Sequence, residues 1–307
     1  MREATMGYAP TILVTGANGQ VGWELVRALQ PLGKVVAATR RDVDLGDEVA
    51  VGRFVEAAAP DIVVNAAAYT AVDRAEDDAA VAFAVNRDAV GTMARAAAAR
   101  GALLVHFSTD YVFDGSKRAP YSESDDVHPL NVYGASKLAG EQAIADMGGD
   151  WLVFRTSWVY GARGQNFLRT MLRLGASRET LSVVNDQYGA PTSARMISDL
   201  TAHAVAKALA ERQADRFESG IYHMTARGTT TWHAFAEAIF SGARRLSPQS
   251  GLAIQEVIPI SATEYPAKAP RPAYSVLDNT RFDERFGLHR PLWEDALALV
   301  LDECYGT

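Results

Sequence analysis

The chain has 307 residues, of which 48% are hydrophobic and 22% charged, and its formal net charge is −7. This composition is that of a globular protein, and the negative charge argues against a nucleic-acid surface as its main function. The single cysteine, Cys304, excludes an internal disulfide and indicates a reducing compartment. The first ten residues lack the apolar core of a signal peptide, and no stretch reaches the roughly 18 apolar residues of a membrane span, so we expect a cytoplasmic protein with no membrane partner.

Short apolar strands alternate with helices through the first half of the chain. Strands are predicted at 11–16, 34–40, 61–68, 102–109 and 151–161, and helices at 20–33, 80–101 and from Tyr133 onward. Continuous apolar strands that alternate with helices indicate a parallel sheet covered on both faces. The predicted fold class is therefore α/β, a Rossmann-type doubly wound parallel sheet whose ligands bind at the carboxyl ends of the strands.

The pattern loosens after residue 161, where polar loops and one helix precede a helix at 196–213, a strand at 220–226 and a helix at 231–245. A proline-rich loop follows at 266–275. We expect a dinucleotide-binding domain over 1–162, with a returning segment at about 190–226. A second, smaller α/β substrate-binding domain is expected from 163–189 and 227–307.

A glycine-rich turn, G-x-x-G-x-x-G, joins the first strand to the first helix. Such a turn brings the backbone close to a pyrophosphate at a helix N-terminus. The second strand ends in two arginines. At this position an acidic residue binds the adenosine ribose of NAD, whereas an arginine accommodates the 2′-phosphate of NADP. The sequence therefore favours NADP(H) as the cofactor and also allows NAD(H). The alternative is that the two arginines are solvated surface residues that bind no cofactor. The expected cofactor-binding residues are Gly16, Asn18, Gly19, Gln20, Val21, Gly22, Thr39, Arg40, Arg41, Asp44, Leu45, Ala66, Ala67 and Ala68, with Tyr133 and Lys137.

Tyr133 and Lys137 lie four residues apart in the segment NVYGASKLAGE, whose composition is helical. Residues at i and i+4 share one helix face, and an ammonium beside a phenol lowers the pKa of the tyrosine. Such a tyrosine can exchange a proton with an alcohol or a carbonyl. Thr109, at the end of the strand 102–109, is placed to bind the same reacting oxygen. Each feature also has a simpler interpretation. Tyr133 and Lys137 could be a surface pair, and Thr109 could be a strand-end threonine that hydrogen-bonds local backbone groups.

The glycine turn, Thr109 and the Tyr133–Lys137 pair occur together with the segments NAAAYTAVDRAE, STDYVFDG, FRTSWVYG and NDQYGAPT. With these motifs the chain resembles the extended short-chain dehydrogenase/reductases over nearly its whole length, and within them the dTDP-4-dehydrorhamnose reductases. The resemblance implies reduction of the C4 ketone of dTDP-4-dehydro-L-rhamnose to dTDP-L-rhamnose, a cell-wall sugar donor.

The resemblance also implies roles for individual residues. Tyr133 would be the general acid, Lys137 would lower its pKa and hold the nicotinamide ribose, and Thr109 would bind the carbonyl oxygen. For Trp158 a core position on a buried strand is the alternative to sugar contact. The implied substrate-binding residues are Thr70, Asp110, Tyr111, Trp158, Asn166, Phe167 and Arg271.

One position departs from the family pattern. Relatives described as metal-linked dimers use a glutamate in the first helix and another just after the GAPT segment. Glu24 is present here, but the later position is Arg195. We therefore expect no metal site, and a monomer or a weak homodimer.

Other functions share this scaffold. A sugar-nucleotide 4,6-dehydratase needs an Asp-Glu pair after the threonine, whereas Thr109 is followed by Asp110 and Tyr111. A 4-epimerase uses the same three residues with a tightly held NAD, and it stays open, as does another sugar-nucleotide 4-ketoreductase. A third alternative is a non-catalytic regulatory subunit resembling that of methionine adenosyltransferase.

Overall fold

The computed structural model describes residues 9–248 and 251–305. The segment 1–8, which begins the predicted dinucleotide domain and carries most of the signal-peptide argument, lies outside the described residues. Residues 249–250 and 306–307 of the predicted substrate domain lie outside them as well.

Strands and helices alternate through the first half of the chain. β1 spans Thr11–Thr15, α1 Gln20–Ala28, β2 Lys34–Ala38, α2 Glu48–Ala58 and β3 Ile62–Asn65. They are followed by α3 (Val72–Ala75), α4 (Ala79–Phe83), α5 (Ala89–Ala99), β4 (Leu103–Thr109), α6 (Val132–Met147), β5 (Asp150–Thr156) and β6 (Val159–Tyr160). The strands predicted for this half are thus present with changed bounds: β1 to β4 are shorter than predicted, and the predicted strand 151–161 is divided into β5 and β6.

The second half contains shorter strands and longer helices. It comprises α7 (Phe167–Gly175), β7 (Thr180–Val184), β8 (Tyr188–Gly189), β9 (Thr192–Ser193), α8 (Ala194–Gln213) and β10 (Gly220–His223). The remaining elements are β11 (Thr230–Thr231), α9 (Trp232–Leu246), β12 (Glu256–Ile260), α10 (Thr280–Phe286) and α11 (Trp293–Tyr305). Thr231 caps α9 by accepting a hydrogen bond from the Ala234 N–H at 3.2 Å, as the threonines before this helix suggest.

Six parallel strands form the central sheet in the order β2-β1-β3-β4-β5-β10. Both faces are buried, because Ile12 and Val14 point into one hydrophobic cluster while Leu13 points into another. The predicted α/β, doubly wound parallel sheet is therefore confirmed. β10 returns to this sheet from the second half of the chain, and β7 pairs with β12 outside it. The exact domain limits stay a prediction.

Local geometry corrects several predicted elements. The predicted helix 80–101 is interrupted by a π-helical segment at Ala84–Asp88. The predicted strand 151–161 breaks because Trp158 adopts a left-handed φ of 47° between β5 and β6. Sequence periodicity missed α2, whose N-terminus is fixed by Asp47 accepting from the Ala50 N–H at 3.0 Å, and it also missed α10 and α11. Within the described part of the chain, no helix combines the length and apolarity needed to span a membrane.

Candidate active site

The candidate site lies where the strand order of the sheet reverses. β1 pairs with β2 on one side and with β3 on the other, so the loops after β1 and β3 leave in opposite directions. In a doubly wound sheet such a divergence leaves a crevice at the carboxyl ends of the strands, and ligands bind there.

The glycine-rich turn lines this crevice with backbone. Gly16 has a φ of 67°, and a Cβ there would lie 2.8 Å from the Ala67 backbone nitrogen. A Cβ on Gly22 would lie 2.0 Å from the Gly16 carbonyl oxygen. Gly19 caps α1 without a side-chain hydrogen bond, and the first turn of α1 carries no acidic residue. These features fit a pyrophosphate, since the helix dipole and the first N–H groups favour an anion there.

The end of β2 presents the predicted adenosine-side residues. Arg40 and Arg41 are exposed, and within residues 9–248 and 251–305 neither forms an ion pair. Thr39 is held by Asp42, whose Oδ2 accepts from the Thr39 N–H and hydroxyl at 2.8 Å each. Asp44 accepts from the Gly46 N–H at 3.0 Å, and Leu45 is buried in the core. Of the remaining predicted contacts, Asn18 is exposed, and Gln20, Val21, Ala66, Ala67 and Ala68 are partly buried.

Small residues allow α6 to approach the turn after β4 and the π-helical segment closely. Asn131 caps the helix by accepting from the Gly134 N–H at 2.8 Å. A Cβ on Gly134 would lie 2.2 Å from the Tyr111 carbonyl oxygen, and one on Gly140 would lie 2.1 Å from the Asn86 carbonyl oxygen. The helix that carries Tyr133 and Lys137 is thus fixed against the end of β4.

Lys137 is buried beneath the crevice. Its Nζ donates to the Phe107 carbonyl oxygen at 2.6 Å and lies 3.0 Å from Nε2 of His106. Burial lowers the pKa of Lys137 to about 8, and the charge of Glu141 opposes this shift. The amine is therefore positioned by β4 as well as by its own helix.

Tyr133 lies one helical turn before Lys137 and is partly buried. Desolvation raises the pKa of Tyr133 to about 12, with a hydrogen bond to Thr109 opposing the rise and the Asp110 charge adding to it. The prediction that Lys137 holds the pKa of Tyr133 below its usual value is wrong for this structure. The physical reason is that the Lys137 amine is engaged by Phe107 and His106, while desolvation favours the neutral phenol.

Thr109 is the last residue of β4, and Asp110 and Tyr111 begin the short 3₁₀ turn that follows it. The Thr109 hydroxyl donates to Asp110 Oδ1 at 3.2 Å and accepts from the Tyr111 N–H at 3.2 Å. Burial raises the pKa of Asp110 to about 7, although hydrogen bonds from Ser275 and Thr109 lower it. The Tyr111 ring meets the Tyr133 ring edge-on, with centroids 5.8 Å apart and planes at 78°. The structure thus brings together four of the predicted site residues.

The proline-rich loop places Arg271 beside this group. Arg271 donates to Asp73 Oδ2 at 2.9 Å and acts on Tyr111 through a hydrogen bond and its charge. The loop is tied to the start of α6 because Asn131 Nδ2 donates to the Pro270 carbonyl oxygen at 2.8 Å. Sequence reasoning missed Asp73, the carboxylate that orients this arginine.

Trp158 lies in an aromatic cluster rather than on a strand. Its ring stacks on Trp232 with centroids 3.6 Å apart and planes at 8°, and Phe167 packs against Trp232 at 4.7 Å. Asn166 caps α7 by accepting from the Arg169 N–H at 3.0 Å, and it donates to Gln20 at 2.8 Å. The polar atoms of Asn166 are therefore occupied within the protein. Thr70 is exposed just beyond β3.

Arg195 lies just after the GAPT segment, at the position that departs from the expected family pattern. Its Nη2 lies 3.0 Å from Glu303 Oε2 and 3.5 Å from Glu24 Oε1. Arg27 also contacts Glu24, at 3.0 Å. In the described residues no group of three or more metal-binding side chains is assembled.

Sequence reasoning missed a polar row inside the sheet. Thr15, Asn65 and His106 are register partners on β1, β3 and β4, and all three are buried. The available signal was a polar residue in each of three otherwise apolar strands, at the level where the glycine turn begins.

Comparison with known proteins fits this geometry. A family model described as "RmlD substrate binding domain" matches residues 10–305. The dTDP-4-dehydrorhamnose reductase of Burkholderia thailandensis is 57% identical over 290 residues, covering 94% of this chain and 97% of that protein. The chain belongs to the dTDP-4-dehydrorhamnose reductase family.

Two further members of the family agree with this assignment. The Salmonella typhimurium reductase is 45% identical, covering 96% of this chain and 98% of that protein. The crystal structure of the Bacillus anthracis reductase in complex with NADP superposes with a TM-score of 0.85 at 34% identity, covering 96% of this chain and 99% of the other. The family assignment therefore rests on almost the full length of the chain.

Proposed function

We propose that this protein reduces the C4 ketone of dTDP-4-dehydro-L-rhamnose to dTDP-L-rhamnose and uses NADPH as the reductant. The observation that carries the proposal is the convergence of Thr109, Tyr133 and Lys137 on a crevice that a glycine-rich turn lines with backbone. The Burkholderia thailandensis relative, which is 57% identical, is named dTDP-4-dehydrorhamnose reductase. The crystal structure of the Bacillus anthracis relative is a complex with NADP.

The residues of the crevice would hold the dinucleotide from several sides. The N-terminus of α1 and the Gly16 turn would bind the pyrophosphate, and Arg40 and Arg41 would bind the 2′-phosphate, which favours NADP(H) while still allowing NAD(H). Lys137 would donate to the hydroxyls of the nicotinamide ribose. When bound, the reduced nicotinamide supplies a hydride to C4 of the sugar.

Tyr133 and Thr109 would act on the ketone oxygen. Because the pKa of Tyr133 is raised to about 12, the phenol is protonated at neutral pH and can serve as a general acid. The Thr109 hydroxyl would donate a second hydrogen bond to the same oxygen as negative charge develops there. Tyr133 would give its proton to O4, while Lys137, whose amine is engaged by Phe107 and His106, would act on the ribose rather than on the phenol.

The surrounding residues would recognise the sugar nucleotide. Asp110, Tyr111 and the stacked Trp158 would form walls of the sugar site, and Arg271 would offer its guanidinium to the pyrophosphate. Phe167 would support the sugar site through the aromatic cluster, and Asn166 would support it through the turn that it caps. Thr70 would contact the substrate from the exposed segment after β3.

The same reasoning extends to the setting of the enzyme. We propose a cytoplasmic enzyme that needs no metal, because Arg195 supplies the positive charge between Glu24 and Glu303. We also propose a monomer or weak homodimer that binds no nucleic acid. Residues 1–162 with 190–226 would bind the cofactor, and 163–189 with 227–307 would bind the substrate.

The test is NADPH oxidation with dTDP-4-dehydro-L-rhamnose, with a UDP-linked 4-ketosugar as the comparison. We expect NADPH to be consumed in proportion to product, with the dTDP sugar preferred. Redox-neutral turnover would indicate a 4-epimerase instead, and cofactor binding without turnover would indicate a regulatory subunit.

A further inference from the structure

A row of buried polar side chains crosses the sheet directly beneath the crevice. Thr15, Asn65 and His106 stand side by side on three adjacent strands, and Lys137 of α6 lies at the end of the row. None of the four is more than 2% exposed. Buried polar groups such as these must find their hydrogen-bond partners within the protein.

Each member of the row contacts the next. The Thr15 hydroxyl donates to Asn65 Oδ1 at 2.6 Å, and Asn65 Nδ2 lies 3.0 Å from His106 Nδ1. His106 Nε2 lies 3.0 Å from Lys137 Nζ, which also donates to the Phe107 carbonyl oxygen. The amine proposed for catalysis is thus linked to the end of β1.

A backbone group sets the direction of the hydrogen bonds. The Ala67 N–H donates to Asn65 Oδ1 at 3.2 Å, and because a backbone N–H can only donate, it turns Nδ2 toward His106. Nδ2 then donates to Nδ1, so a neutral imidazole carries its proton on Nε2. That proton points at Lys137 Nζ, and this arrangement fits a neutral amine, which offers a lone pair.

A protonated Lys137 requires a different arrangement. An ammonium has no lone pair, so Nε2 must accept and the imidazole proton must move to Nδ1. The Asn65 amide must then turn its oxygen toward His106 and give up its bond from Ala67. Ala67 lies against the glycine turn, where a Cβ on Gly16 would be 2.8 Å from its nitrogen.

We propose that His106 is a positioning residue that couples the protonation of Lys137 to the Asn65 amide and, through Ala67, to the floor of the dinucleotide crevice. The effect on turnover rests on the catalytic role proposed above for Lys137, whereas the coupling itself rests on these contacts. The row therefore has two sets of hydrogen-bond directions, one for each protonation state of the amine, and the set with the protonated amine leaves the Ala67 N–H without its bond to Asn65.

The electrostatic surroundings place this exchange near neutral pH. Burial and the Lys137 charge hold the pKa of His106 well below its usual value, so the imidazole stays neutral. Burial lowers the pKa of Lys137 to about 8, and Glu141 opposes the shift. Arg155 on β5 holds Glu141 in a two-fold hydrogen bond at 2.9 and 2.7 Å. Tyr133 is the other titratable group on this stretch of α6.

The direct test follows the Lys137 side chain by isotope-edited nuclear magnetic resonance in the protein without ligands, with Lys137→Arg to assign the signal. We expect a midpoint near pH 8 in the wild-type protein. His106→Phe, which keeps a ring but accepts no hydrogen bond, should lower the midpoint by about 1–2 units, the effect of one lost charge-assisted bond. His106→Gln, whose amide both donates and accepts, should restore most of that shift.

A matched control comes from the second buried histidine of the sheet. His223 on β10 is as fully buried as His106, and its ring contacts the Asp278 carbonyl oxygen and the Phe113 ring rather than the row. His223→Phe should therefore disturb the core and leave the Lys137 midpoint unchanged. The ring nitrogens of His106 in the wild-type protein give an independent measure. Their shifts should report a proton on Nε2 above the Lys137 midpoint and on Nδ1 below it.

Two results would overturn the coupling. One is a Lys137 midpoint that does not move in His106→Phe, and the other is a His106 tautomer that stays the same across the Lys137 titration. If His106→Phe does not fold, the tautomer measurement on the wild-type protein decides alone. If the coupling were confirmed but the protein showed no reductase turnover, the proposed function would be wrong and the proposed coupling would still hold.

Discussion

Trp158 lies flat on Trp232, with ring centroids 3.6 Å apart and planes at 8°. Trp158 reaches this position through a left-handed φ of 47°, a conformation that costs a non-glycine residue about 1–2 kcal/mol. Gly189 makes room for the ring, because a Cβ there would lie 2.4 Å from Trp158 Cε2. The stacked pair is thus held in a strained position at the proposed sugar site.

The first prediction uses this close approach. Gly189→Ala should displace the Trp158 ring and raise the KM for the dTDP sugar roughly twofold to tenfold, which corresponds to the loss of about 0.5–1.5 kcal/mol of aromatic contact. Steady-state kinetics and near-ultraviolet circular dichroism of the stacked pair measure the two effects. Gly52→Ala on α2 is the control, since its Cβ would lie at an ordinary 3.5 Å from Thr92. Equal KM values in both variants would place the sugar elsewhere.

The second prediction concerns the proton donor. Tyr133→Phe removes the hydroxyl but keeps the ring against Tyr111, so cofactor affinity should be preserved while kcat falls by about 10²–10⁴-fold. Cofactor binding is measured by fluorescence titration and turnover by NADPH absorbance. If the variant kept more than about a tenth of the wild-type turnover, the loss would be smaller than this range and Tyr133 would not be the general acid.

The third prediction concerns the exposed arginines after β2. Changing Arg40 and Arg41 together to alanine should weaken NADPH binding by about 10–150-fold per lost contact and leave NADH nearly unchanged. The dissociation constants of both cofactors are the measurement. Arg53→Ala, another exposed arginine on α2, serves as the control. The same loss for both cofactors would mean that these arginines do not read the 2′-phosphate.

The fourth prediction follows from the buried carboxyl of Asp110. Its pKa is raised from 3.8 to about 7, mainly by burial, so the folded protein holds a proton there that the unfolded chain releases from about pH 4 upward. Stability from this group is complete below pH 4 and is lost as the pH rises to about 7. A rise of about three pH units corresponds to about 4 kcal/mol.

Asp110→Asn keeps the shape of the side chain and removes the titration. The variant should unfold at nearly the wild-type denaturant concentration at pH 4 and at a higher one at pH 8, where the wild-type carboxylate is charged. Urea unfolding at a series of pH values measures the difference. A constant difference between the two proteins across that range would show that Asp110 titrates normally in the fold.

Sequence patterns predicted the sheet better than the irregular segments that connect it. β1, β3 and β4 were predictable because strands buried on both faces are almost purely apolar. Sequence patterns did not predict the π-helical turn at Ala84–Asp88 or the break at Trp158, because each depends on packing between distant segments. Helix α2 was missed, although Asp47 before it is a suitable N-cap.

The site shows the same division. Motif spacing identified Thr109, Tyr133 and Lys137, since their positions at a strand end and on one helix face follow from local geometry. Spacing could not reveal that Lys137 contacts His106, because that contact joins residues from different elements and depends on how deeply α6 packs. The direction of the Tyr133 pKa shift was wrong for the same reason, since desolvation is a property of the folded protein.

The central claim is that this protein reduces C4 of the sugar, and isotope transfer tests it most directly. NADPH carrying deuterium at the transferable position of the nicotinamide is incubated with dTDP-4-dehydro-L-rhamnose, and the product is analysed by nuclear magnetic resonance. We predict dTDP-L-rhamnose with one deuterium at C4 for each NADPH oxidised. Product without deuterium at C4, or a 4-ketosugar recovered unchanged while NADPH remains bound, would contradict the account.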